Sequence, residues 1–190
     1  MIIHHVISRA SRLGLPSLSS LGSDRLAVGL APLLDDAYHY LRHVSVGGVR
    51  IDAVVVGPGG TWTVTTGHES GRFHKRNGHW YRWNRSTESW IPWAADEVMN
   101  GRLAGHRLEL HLDRAGVPAA VEPVLLIAPD VQLDWEPTER PGVHVHDDVS
   151  RLGTRIARDE VLTPAQVDRI VALLDPRQPL TRLAPSTPRG

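Results

Sequence analysis

The stretch Ile51-Asp52-Ala53-Val54-Val55-Val56-Gly57-Pro58-Gly59-Gly60-Thr61-Trp62-Thr63-Val64-Thr65-Thr66 decides how the rest of the chain is read. Two β-rich runs, 49–56 and 61–66, flank Gly57-Pro58-Gly59-Gly60, a tight-turn composition. Upstream, residues 39–46 form another β-rich run, joined to the first by Gly47-Gly48, a hairpin signal. Three such strands in succession make an antiparallel meander. Asn77-Gly78 marks a further turn, with a short strand expected on each side: Phe73 before it, and Trp80, Tyr81 and Trp83 after it.

Helical signals surround the meander. Ser23 followed by Leu26, Ala27, Leu30 and Leu34 predicts a short N-capped helix with one apolar face. A long helix is expected over 94–114, with Val98, Gly105, Leu108 and Leu112 on one face and Gly116 as its C-terminal cap. Trp90 and Trp93 bracket Pro92 just before it and read as anchors of the incoming loop. Val124 to Ala128 is a continuous apolar run, which suits a strand buried on both faces. Residues 129–141, with three prolines and four acids, read as a surface loop. Val143 and Val145 alternate with His144 and His146 in a short strand, and a helix follows Asp148. Thr163, Pro164 and Gln166 form a capping box that starts the last helix. This order predicts an α/β (α+β) domain: a mixed sheet containing an antiparallel meander and flanked by helices.

The expected division is a weakly ordered segment over 1–22, one domain over 23–175 and a Pro-rich disordered tail over 176–190. No run approaches the roughly 18 apolar residues of a membrane span, and residues 1–22 lack the apolar core of a secretory signal. The expectation is a cytoplasmic protein with no membrane contact. The absence of cysteine excludes a disulfide scaffold, a thiolate metal site and a Cys nucleophile. No Gly-x-Ser-x-Gly elbow, P-loop or dinucleotide fingerprint is present.

Twenty-one basic residues balance 21 acidic ones, so a nucleic-acid partner must be held by a local patch. Residues 70–87 supply one. Arg72, Lys75, Arg76, Arg82 and Arg85 occur there without any acid, interleaved with His74, His79, Trp80, Tyr81 and Trp83. Such a ribbon can neutralise phosphates and stack bases, with Trp83 as a stacking platform. The same residues also suit a twisted hairpin whose aromatics pack on the core and whose arginines are solvated. Residues 130–148 carry six acids against Arg140. The two patches can pair within the molecule, pair between copies, or steer DNA toward one face. His144-Val145-His146-Asp147-Asp148 reads either as a metal cluster or as an edge strand leading into an Asp-capped helix.

The segment Ile51 to Gly60, followed at the right spacing by Ser70-Gly71-Arg72, resembles the nuclease-related (NERD) domain family over roughly residues 23–128. The resemblance implies a restriction-endonuclease-like core of the PD-(D/E)xK superfamily. In that superfamily an Asp and a Glu on adjacent strands hold Mg²⁺ or Mn²⁺, and a Lys two residues beyond the Glu shares its strand face. Asp52 stands where the family's metal-binding Asp stands, and Asp24 falls near its helix acid. Thr65 replaces the Glu and Gly67 replaces the Lys. The resemblance therefore implies a degenerate nuclease-related domain, a pseudoenzyme that binds DNA or RNA without efficient cleavage. It would hold no cofactor, or Mg²⁺ or Mn²⁺ weakly through Asp52 and Asp24. One alternative is an active divalent-metal nuclease using Asp24, Asp52 and a displaced acid, Glu69. The other is a protein-interaction pseudonuclease that contacts a partner or a second copy. Without a metal, Asp52 reads as a carboxylate paired with Arg50 or Arg72, and Asp24 as a helix N-terminal charge.

Overall fold

Gly47 and Gly48 both take positive φ, 56° and 79°, which closes the hairpin between β2 (His39–Val46) and β3 (Val49–Gly57). The computed structural model describes residues 4–6, 25–136 and 142–175. In a six-stranded sheet, β1 (His4–Val6), β2, β3 and β4 (Gly60–Thr66) pair antiparallel in sequence order. Beyond β4, β8 (Val121–Leu126) and then β10 (His144–His146) add in parallel. A second sheet has the order β7 (Ser89–Pro92), β6 (His79–Asn84), β5 (Arg72–Arg76), β9 (Gln132–Trp135). Its β5–β9 pair is parallel and the rest antiparallel.

Helices cover both faces of the large sheet because β3 is apolar on both, and β4 buries Trp62 and Val64 on one face and Thr61 and Thr63 on the other. Ala53, Val55, Trp62 and Val64 pack under α1 (Arg25–Leu30) and α3 (Val149–Ile156), against Leu26, Leu30, Leu152 and Ile156. Val54 and Val56 pack on the opposite side under α2 (Asp96–Arg114) and α4 (Pro164–Leu174), against Leu108, Leu112 and Ile170. α2 approaches closely through small residues: a β-carbon on Gly105 would stand 2.9 Å from Pro123 Cβ of β8. The protein is thus a mixed α+β fold with two mixed sheets flanked by helices. No described helix is long and apolar enough to cross a membrane.

The helix ends follow local chemistry. α2 closes in a Schellman arrangement, with Gly116 at φ 72° donating to Asp113 O and Val117 donating to Leu112 O. Thr163 and Gln166 form the expected capping box of α4, and Asp148 accepts from the Ser150 amide at the start of α3. Ser23, the expected first cap, lies outside the described residues.

Two expectations are corrected. Within 129–141, residues 132–135 form β9, because pairing with β5 satisfies a backbone that its local composition marks as loop. The strand β7 was not anticipated either. It carries Trp90 at 41% exposure, set against Trp83 and His74 on the outer face of the small sheet, while Trp93 packs on the core side.

Candidate nucleic-acid interface

His43 and Asp52 face each other across the β2–β3 hairpin, between the pairs Arg42–Ala53 and Val44–Ile51. At this point both strands break their alternation. Leu41 and Val44 enter the same core, and so do Ile51 and Val54. His43 accommodates the break with φ 54°. Among the described residues its buried Nδ1 has no hydrogen-bond partner, and burial, followed by Arg50 and Arg42, lowers its pKa against the opposing pull of Asp52. Asp52 is pushed outward, is exposed, and accepts a hydrogen bond from the Thr66 amide at 3.1 Å rather than pairing with Arg50 or Arg72.

The neighbouring positions of the resemblance are filled differently. Thr65 is half-buried on β4, with its hydroxyl turned toward Gly101 of α2. Gly67 is buried, and a β-carbon on it would meet Glu97 Oε2 at 2.8 Å. Glu97 Oε1 accepts from the amides of His68 at 2.6 Å and Glu69 at 3.2 Å. Glu69 is engaged elsewhere: its Oε1 accepts from Trp93 Nε1 at 3.0 Å, and its Oε2 lies 3.8 Å from Arg82. Among the described residues no three His, Asp or Glu side chains are grouped to hold a metal ion. Asp24 lies outside the described residues.

The small sheet has two unlike faces. Phe73, Trp80 and Leu133 point toward the core with Trp93, whose ring lies 4.2 Å from Phe73 and edge-on to Trp80 at 5.8 Å. The other face carries Arg72, His74 and Arg76 from β5, Tyr81 and Trp83 from β6, and Trp90 from β7. Arg72 places its guanidinium 5.9 Å from the Trp83 ring, and Trp83 meets Trp90 edge-on at 5.3 Å. None of these outer aromatics belongs to a hydrophobic cluster of the described residues.

The expected basic residues are therefore divided. Arg72, Arg82, Arg85 and Trp83 line one open cleft of about 610 Å³, with Asp130 at its rim. Arg82 reaches it from the inner face, its guanidinium 5.8 Å over Phe73 and donating to Ser70 O at 3.4 Å. Arg76 lies away from that cleft, 3.8 Å from Glu136, and His74 lies 3.7 Å from Asp134. Lys75 is half-buried opposite Trp80 and Trp135. The acidic segment thus pairs with the basic ribbon inside the molecule, at least along β9. Two positions of the candidate site escaped the sequence reading. Glu97 reads only as a first-turn helix acid, and Trp90 reads as a packing residue until its strand is known.

No family model, no curated protein and no solved structure matches this chain.

Proposed function

We propose that this chain is a nuclease-type domain that binds single-stranded DNA or RNA and does not cut it by the metal-dependent route. The observation that carries this reading is the cleft where Arg72, Arg82 and Arg85 surround Trp83. Guanidinium groups neutralise phosphates, and an indole backed edge-on by Trp90 offers an unpaired base a stacking surface. A duplex hides its base faces, so stacking favours a single strand. A restriction-endonuclease-like core fits the placement of Asp52 and Thr65 on the adjacent strands β3 and β4. Loss of cleavage fits Thr65 in place of a carboxylate, and Glu97 in the space where a lysine would stand. Glu69, the displaced acid of a cleaving enzyme, is held by Trp93 and Arg82 instead.

Fluorescence anisotropy of labelled single- and double-stranded DNA and RNA, across salt and without metal, tests the reading. The expected result is preference for single strands, with a log–log salt slope of roughly −1.4 for two phosphates neutralised by Arg72 and Arg85, Arg82 being already paired with Glu69. No binding at low salt overturns it. The nuclease-type alignment has its own test in Thr65→Glu combined with Gly67→Lys. A gain in Mn²⁺ affinity by calorimetry supports it, and unchanged affinity counts against it.

A further inference from the structure

A second cleft, of about 500 Å³, opens between β8, β10 and α3, with Trp135 of β9 on its wall. Its polar side is a cluster of four ionisable groups. Glu122 and Trp62 are paired across β8 and β4, and His144 and His146 project from β10 on the same face. Glu122 Oε2 lies 2.6 Å from His144 Nε2, and Arg155 Nη2 lies 3.3 Å from the same nitrogen. Arg155 is also held over the Trp62 ring at 5.8 Å, so its guanidinium is fixed before any ligand arrives. Pro123, Val143 and Val145 complete the lining with an apolar surface.

We propose that this cleft binds a phosphate monoester of mononucleotide size, with Arg155, His144 and His146 facing the phosphate and Trp135 beside the body of the ligand. The placement is independent of the Arg72–Trp83 surface. Arg155 offers a planar donor fork suited to phosphate oxygens. His146 can add charge, and an anion draws a proton onto it. His146 has its pKa lowered by burial, then by Arg155 and His144, with Asp147 opposing and Arg151 adding to the effect. A bound phosphate dianion opposes that lowering by favouring the protonated form of His146. Glu122 is the group that works against an anion, competing for His144 and Arg155.

Adenosine monophosphate and inorganic phosphate, titrated calorimetrically into the full chain at about pH 6 and about pH 8, test the site. Binding of either probe that weakens about tenfold or more in Arg155→Gln supports it. Glu122→Gln guards against a merely misfolded variant, because removing the competing charge strengthens binding several-fold, a gain that unfolding cannot produce. A 5′-phosphorylated oligonucleotide compared with its 5′-hydroxyl counterpart distinguishes a strand end from a free mononucleotide as the source of the phosphate. Absence of binding by both probes overturns the proposal. So does binding indifferent to Arg155→Gln, weakened by Glu122→Gln, or abolished by Trp83→Ala. The last outcome would assign the phosphate to the small-sheet surface.

Discussion

Glu97 occupies the space beside Gly67: one carboxylate oxygen stands 2.8 Å from where a β-carbon would be, while the other accepts the amides of His68 and Glu69. The glycine and the acid are thus a matched pair. Gly67→Ala displaces the carboxylate from two amides, and the expected loss is about 1–2 kcal/mol of stability by urea denaturation. Glu97→Ala costs a similar amount, and the double variant costs less than the sum. Strict additivity would show that the two residues are not coupled.

Trp83→Ala and Arg72→Ala separate the two contributions expected of the proposed single-strand binding. Each weakens it by about 1–3 kcal/mol. Arg72→Ala also makes the salt slope shallower by roughly 0.7, whereas Trp83→Ala leaves the slope unchanged. Arg76→Ala has a smaller effect than Arg72→Ala because Glu136 already accompanies Arg76. Anisotropy at several salt concentrations distinguishes all three variants.

The Gly57-Pro58-Gly59-Gly60 turn is pinned to the end of α3. Gly59 donates its amide to Tyr38 OH at 3.1 Å, and that hydroxyl donates to Ile156 O at 3.3 Å. A β-carbon on Gly59 would collide with the Ile156 carbonyl. Gly59→Ala is expected to cost about 3 kcal/mol or more, since a backbone atom must move. Tyr38→Phe removes only the hydroxyl link and costs about 1–2 kcal/mol. Thermal or urea melts of both variants check the order.

Stability should fall at both ends of the pH scale. His43 and His146 have pKa values lowered in the fold, by burial first, so the unfolded chain binds more protons below its ordinary value of 6.5. Their contribution is intact above that pH and is lost as pH falls through the folded values. Tyr38 has its pKa raised above 10.0, by burial first. There the unfolded chain releases its proton earlier, so stability declines as pH rises beyond about 10. Urea midpoints across pH test both limbs, and His146→Asn should flatten the acid one.

What could be read without coordinates was local. Thr163 and Gln166 cap α4, Gly116 closes α2, and Gly47-Gly48 turns the first hairpin, because each signal and its partner lie within a few residues. β9 was hidden because its pairing partner, β5, lies some sixty residues earlier and the alternation of its Gln-Leu-Asp-Trp spans only four residues amid prolines and acids. The basic ribbon was visible as composition, but the division that sets Arg72 and Arg76 on one face and Arg82 on the other depends on strand phase. Glu97 was invisible for a different reason. An acid in the first turn of a helix already has a sufficient explanation in the helix dipole, and nothing local shows that it reaches Gly67.

The parallel neighbours β4 and β8 of the large sheet lead directly into the parallel neighbours β5 and β9 of the small one. Two of the chain spans that join the sheets, 67–71 and 127–131, therefore cross side by side. The same arrangement sets an order of assembly. β2, β3 and β4 can meet as soon as they are made, and so can β5, β6 and β7. Neither sheet receives its parallel strand until residues 121–135 emerge, and closing such distant contacts is slow. Pulse-labelled hydrogen exchange during refolding should find the β8, β9 and β10 amides protected last. Until then the Trp83 surface rests on a sheet that is one strand short.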